Sequence, residues 1–181
     1  PFKACVEAGA LSLMVNSSSN DGIPFHTNKE FLTGWLKEGL NWDGMIVTDW
    51  ADARFAFDRD YTTPTYKEAV RRVIDAGVDM LMEPNSVEVC DYLVELVKEK
   101  QLPMSRIDDA VRRILRLKFR LGLFDDPYGT ASNYERFACP EFVKYAYDAA
   151  LESEVLLKNN NALLPLSKDS RILLVGPNAN S

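Results

Sequence analysis

The chain has little cysteine, a single histidine and no long apolar run. Cys5, Cys90 and Cys139 are its three cysteines in 181 residues. None stands in a C-x-x-C spacing, so a disulfide framework and a zinc ribbon are both excluded. Each is expected to be a small buried hydrophobe. His26 has no second His or Cys at ligand spacing, so no metal site is expected and a structural role is. No apolar run reaches the roughly 18 residues of a membrane span. Positive charge is also short: 21 Lys and Arg stand against 27 Asp and Glu, a net charge of −6. That balance argues against a nucleic-acid partner, which needs a basic face. Neither G-x-G-x-x-G nor G-x-x-x-x-G-K-S/T occurs, so no phosphate cradle and no cofactor are expected. The polar run 16–22 fails as a calcium loop: with Gly22 at position six, Ser17 and Asn28 fall where acids are required. No strand-like run ends in Lys, which removes a Schiff-base aldolase, and no nucleophile elbow supports a serine triad.

What is present is globular: 46% hydrophobic and 27% charged residues. Three short apolar runs each lead into a polar residue. Ala10–Val15 leads into Asn16, Gly44–Thr48 into Asp49, and Val78–Met82 into Glu83. The tips are 33 and then 34 residues apart, the length of one strand–helix unit. Helices fit between the runs. Thr27 and Glu30 read as a capping box ahead of Phe31, Leu32, Trp35 and Leu36, with Gly39 as the stop. A second helix is expected over Tyr66 to Ala76 with Gly77 beyond its end, and a third after Ser86. Ser105 and Asp108 read as another capping box, for a helix that Gly122 ends. Apolar strands alternating with amphipathic helices imply a parallel sheet covered by helices. A (β/α) barrel and an open doubly wound sheet compete. The barrel is favoured because polar groups recur at successive strand tips, where barrel active sites are built. Three units do not close eight strands, so a C-terminal portion of a barrel is expected. The absence of an initial Met and the stop just after an apolar run suggest a piece of a longer protein.

Past Phe124 the pattern breaks at Asp125-Asp126-Pro127-Tyr128-Gly129. Pro140 suits the first position of a further helix to about Leu157. Asn159-Asn160-Asn161 reads as a polar turn, and Arg171 to Val175 as a strand. Asp49 is the main chemical candidate. A carboxylate at a strand tip serves as nucleophile, general base or metal ligand, or simply as a cap. Trp50 beside it offers a flat face on which a sugar ring can stack. Glu83 holds the equivalent place one unit on. Asp52 and Asp58 are expected to be solvated loop acids.

These segments together resemble glycoside hydrolase family 3, of β-glucosidase type. The matching stretches are Asn20-Asp21-Gly22-Ile23-Pro24-Phe25-His26-Thr27-Asn28 and Gly44-Met45-Ile46-Val47-Thr48-Asp49-Trp50. They continue with Ala76-Gly77-Val78-Asp79-Met80, residues 106–111, Leu121-Gly122-Leu123-Phe124, residues 152–159 and Leu164-Pro165-Leu166. The resemblance implies a (β/α)8 barrel portion over 1–124, a linker with a helix over 125–170, and the first strand of an α/β sandwich domain over 171–181. It implies a retaining, exo-acting glycosidase with Asp49 as nucleophile, Trp50 flanking the sugar, and Met14 and Ser17 lining the pocket. The implied partner is a β-linked glucoside or oligosaccharide. The acid/base is expected from the rest of the protein's own chain, so residues 1–181 alone are expected to be inactive. A periplasmic or secreted location is implied. Two other readings remain: an enolase-type, metal-dependent barrel lyase using Asp49 and Glu83, and a non-catalytic sugar-binding relative.

Overall fold

The structure, a computed structural model, describes residues 1–84 and 86–179. It divides into two compact units, Pro1–Tyr128 and Gly129–Ser181.

The first unit is built on parallel pairing. After a short helix α1 (Phe2–Glu7), strand β1 (Ser12–Met14) lies parallel to β4 (Met45–Val47), with Ser12 opposite Met45 and Met14 opposite Val47. Between them a two-residue hairpin pairs β2 (Ser19–Asn20) with β3 (Ile23–Pro24). Its turn is Asp21-Gly22, both at positive φ (49° and 79°), the geometry that Asp-Gly favours in tight hairpins. The third apolar run is held to β4 by one parallel bridge, Val47 to Met80. Its further bonds leave the ladder: Met82 N–H donates to the Thr48 hydroxyl at 2.8 Å rather than to a carbonyl. The run is therefore a strand edge with a side-chain tie, not a regular strand.

Helices cover this sheet. Tyr66–Ala76 (α3, after α2, Asp52–Asp58) has its expected bounds. The Thr65 hydroxyl accepts the Glu68 amide at its start, and Gly77 at φ 117° ends it. A side chain at position 77 would also meet the Thr33 hydroxyl at 2.5 Å, so the stop and the close packing both require glycine. Helices α4 (Glu88–Lys98) and α5 (Met104–Arg120) follow. The core gathers Leu32, Leu36, Ile46, Val70, Val73, Val78 and Leu96, all without exposed surface. That is the burial that alternating strands and apolar helix stripes were expected to give.

Several local expectations are corrected. The helix after residue 27 is a π-helix over Glu30–Gly39. Thr27 lies in the 3-10 turn Phe25–Thr27, too early to cap the helix, and its hydroxyl donates back to the Pro24 carbonyl at 2.9 Å. The Asn28 side chain takes the role by accepting the Phe31 amide at 3.0 Å. Ser105 is not a cap, because α5 begins at Met104 behind Pro103 and Ser105 is already helical. Cys5 and Cys90 are exposed and Cys139 is half-buried. They fall on faces and caps rather than on the core stripes. Asp52 is not a solvated loop acid; it opens α2 and has no exposed surface.

In the second unit, α6 (Pro140–Ser153) starts with proline as expected but stops short of Leu157. The Asn159 side chain brackets the polar turn by bonding both the amide and the carbonyl of Leu164. Residues 171–175 belong to no strand among the described residues, since an extended run forms no ladder without a neighbour. Asn180 and Ser181 lie outside the described residues.

Candidate active site

The residues singled out from the sequence sit at the C-terminal ends of the parallel strands. Thr48 follows β4 fully buried, Asp49 comes next half-buried, and Trp50 is 60% exposed. The chain then turns through Ala51, whose φ of 59° is left-handed. A non-glycine residue there is strained, and such strain gathers at functional turns. The turn is over-determined by its bonds. The Ala51 amide donates to the Met82 carbonyl at 2.9 Å, and the Thr48 amide to the Met80 carbonyl at 3.1 Å. The Asp52 amide reaches the Asp49 carbonyl at 3.3 Å. The Trp50 amide donates to Asp49 Oδ1 at 2.6 Å. A carboxylate so held has one oxygen oriented by the backbone, and the residue that follows it carries a largely exposed indole.

Met14 stands next to this tip. It pairs with Val47 in the adjacent strand and is half-exposed. Ser17, three residues on, is drawn away from open solvent. Its hydroxyl donates to Asp52 Oδ1 at 2.5 Å and accepts from Arg59 Nη1 at 3.0 Å. Asp49 and Trp50 thus share one turn, while Met14 ends the neighbouring strand and Ser17 lies in the loop after it.

Glu83 follows the third run. Burial pushes its carboxyl above the ordinary range, while the Tyr66 hydroxyl and the Arg54 guanidinium pull the other way. His26 is fully buried, and neither ring nitrogen has a hydrogen-bond partner. Burial lowers its pKa against the opposing pull of Asp52 and Asp60, so the ring is neutral at pH 7. Among the described residues, no three His, Cys, Asp or Glu side chains are placed to hold a metal ion. No helix of the described residues is long and apolar enough to cross a membrane.

Sequence reasoning missed Asp52, Arg59 and the Thr48 hydroxyl. Ala53, Ala56 and Phe57 stand at helical spacing and pack on the core. That spacing could have revealed α2, and with it a buried acid at its first position. A cavity of about 690 Å³ lined by Tyr134, Arg136, Phe137 and Phe142 lies within the second unit and holds none of these carboxylates.

Known proteins resemble this chain along nearly its whole length. The model of the glycosyl hydrolase family 3 N-terminal domain matches residues 1–117. That domain is a (β/α)8 barrel, so the parallel units here are a barrel portion and not an open sheet. A lysosomal beta glucosidase of Dictyostelium discoideum is 38% identical over 99% of this chain, which spans 22% of that protein. A periplasmic beta-glucosidase of Salmonella typhimurium is 34% identical over all of it, across 24% of its own length. The beta-glucosidase from Listeria innocua, solved in complex with glucose, superposes with a TM-score of 0.72 at 34% identity. It covers 92% of this chain, which spans 23% of that structure. The chain therefore covers about a quarter of the length of these relatives.

Proposed function

The chain belongs to glycosyl hydrolase family 3, and from that premise we propose that the full-length protein is a retaining, exo-acting β-glycosidase with Asp49 as its nucleophile. One observation carries the assignment of Asp49: a half-buried carboxylate at a parallel-strand tip, one oxygen pinned by the next amide, beside an exposed Trp face. The Asp49 carboxylate attacks the anomeric carbon as the bond to the leaving oxygen breaks. A second carboxyl group about 5–5.5 Å away gives that oxygen its proton. The same group then takes a proton from water, which displaces Asp49 and releases the sugar. That acid/base is proposed to come from a part of the protein outside residues 1–181. Trp50 packs on the sugar, and Met14 and Ser17 wall the pocket. The proposed substrate is a β-linked glucoside, as suggested by the glucose and laminaribiose complexes of the Listeria innocua protein. A location outside the cytoplasm is proposed from the named periplasmic relative. Residues 125–170 are proposed as a linker, with 171–181 opening a sandwich domain. No observation favours the lyase or the non-catalytic reading.

The test is trapping. A 2-fluoro β-glucoside with a good leaving group should inactivate the full-length enzyme and leave its sugar on the peptide containing Asp49. Asp49→Ala should remove both turnover and labelling while the thermal midpoint holds. An adduct on Glu83, or an enzyme that turns over without Asp49, would overturn the assignment.

A further inference from the structure

Asp52 has no exposed surface, yet it is a carboxylate three residues from Asp49. Its Oδ1 accepts the Ser17 hydroxyl at 2.5 Å and lies 3.9 Å from Arg59 Nη1. The same Nη1 donates to Ser17 at 3.0 Å, so the three side chains close a triangle. Arg59 is itself fixed. Its Nε and Nη2 grip the Asp60 carboxylate at 2.9 and 3.1 Å, and its guanidinium lies 4.4 Å from the centre of the Phe55 ring.

The triangle ties the loop after β1 to both ends of α2: Ser17 belongs to that loop, Asp52 opens the helix and Arg59 caps its C-terminal end. The Ser17 hydroxyl spends its proton on Asp52 and a lone pair on Arg59, which commits it to this network. Asp52 Oδ2 is buried without a hydrogen-bond partner, so the contacts of Oδ1 with Ser17 and Arg59 are what offset the cost of burying this carboxylate. Asp52 therefore makes one arrangement of loop and turn much more favourable than others. The turn needs such support, because Ala51 is left-handed.

We propose that Asp52 is a positioning residue: through Ser17 and Arg59 it locks the loop after β1 against the Asp49-Trp50-Ala51 turn and so fixes the attack geometry of Asp49. This rests on the reading of Asp49 as nucleophile. Positional errors near an ångström at a reacting centre cost on the order of 100-fold in rate. The effect should therefore appear in the chemical step and not in ground-state binding.

The experiment compares D52A, D52N and S17A in the full-length enzyme, reading kcat and KM on an aryl β-glucoside, the rate of inactivation by the 2-fluoro glycoside, and the thermal midpoint. In D52A, kcat and the inactivation rate should fall about 10- to 100-fold while KM stays within about threefold. D52N keeps an oxygen for Ser17 and should recover part of the loss. S17A should show a smaller fall in the same direction. A lowered midpoint with unchanged kcat in D52A and S17A would overturn the proposal, as would a D52N no better than D52A. If D52A does not fold, S17A decides: unchanged kcat overturns, a fall in kcat at constant KM supports. Failure of the underlying reading is separable, because it shows in the wild type as labelling elsewhere than on Asp49.

Discussion

Trp50 leaves 60% of its surface in solvent, whereas Trp42 is 6% exposed and donates its indole N–H to the Ala10 carbonyl at 2.7 Å. An indole left bare beside a carboxylate contributes little to the fold and offers an apolar plate to a ligand. Under the proposed reading, Trp50→Ala in the full-length enzyme should weaken sugar binding by about 1–3 kcal/mol, or about 5- to 150-fold. The thermal midpoint should barely move, since little packing is lost. Inhibition constants for the product sugar and calorimetric melting together make the check. An unchanged inhibition constant would remove Trp50 from the sugar site.

At the scale of elements, the joint between β4 and the third run decides the shape of the candidate site. The Thr48 hydroxyl stands in for a missing ladder carbonyl by accepting the Met82 amide. Thr48→Val keeps the branched shape and deletes that acceptor. It should destabilise the protein by about 1–3 kcal/mol, the cost of an unpaired buried amide, while Thr48→Ser loses less. Urea unfolding of both variants reads this difference directly. The same joint shows what sequence could and could not reveal. The span of helix α3 was legible because Gly77 states a local preference that packing agrees with, and the structure adds the Thr65 cap at its start. The strand tips Asn16, Asp49 and Glu83 were legible through their spacing. The third run has the right composition, but its regularity depends on neighbours that composition does not encode. The π-helix and the Asn28 cap were hidden because Thr27 satisfies the capping pattern while its backbone is already in a 3-10 turn. Asp52 was misread for a related reason: with α2 read as loop, an acid there looks solvated until its tertiary partner Ser17 is known.

Across the whole first unit, charge is divided between the two ends of the strands. The candidate site occupies the C-terminal ends. At the other end Asp79 is buried and accepts Lys37 Nζ at 2.8 Å, Arg106 Nη2 at 2.8 Å and the Ile46 amide at 2.9 Å. Arg113 of α5 adds bonds to the carbonyls of Trp42 and Gly44, just before β4. A side chain at position 44 would run into Trp42 at 2.1 Å, so this approach is reserved for glycine. The cluster thus ties the π-helix, the third run, β4 and α5 into one block, which in a barrel is the end that serves stability. Removing its centre should be costly: Asp79→Ala leaves two cations without their buried partner and should cost about 3–5 kcal/mol. Lys37 gives the block a pH signature. Burial lowers its pKa from 10.5 to about 8, and the charges of Arg106 and Arg113 reinforce burial against the pull of Asp79. Between those two values the unfolded chain holds a proton that the folded chain has released. Stability from this group therefore rises as pH climbs from about 8 toward 10.5, and is lost again as pH falls through 8. In Lys37→Met that rise should be missing, whatever the other groups contribute. The measurement is the difference in unfolding midpoint between wild type and variant, followed from pH 7 to 10.5. A gap that stays constant across that range would show that Lys37 keeps its proton in the fold.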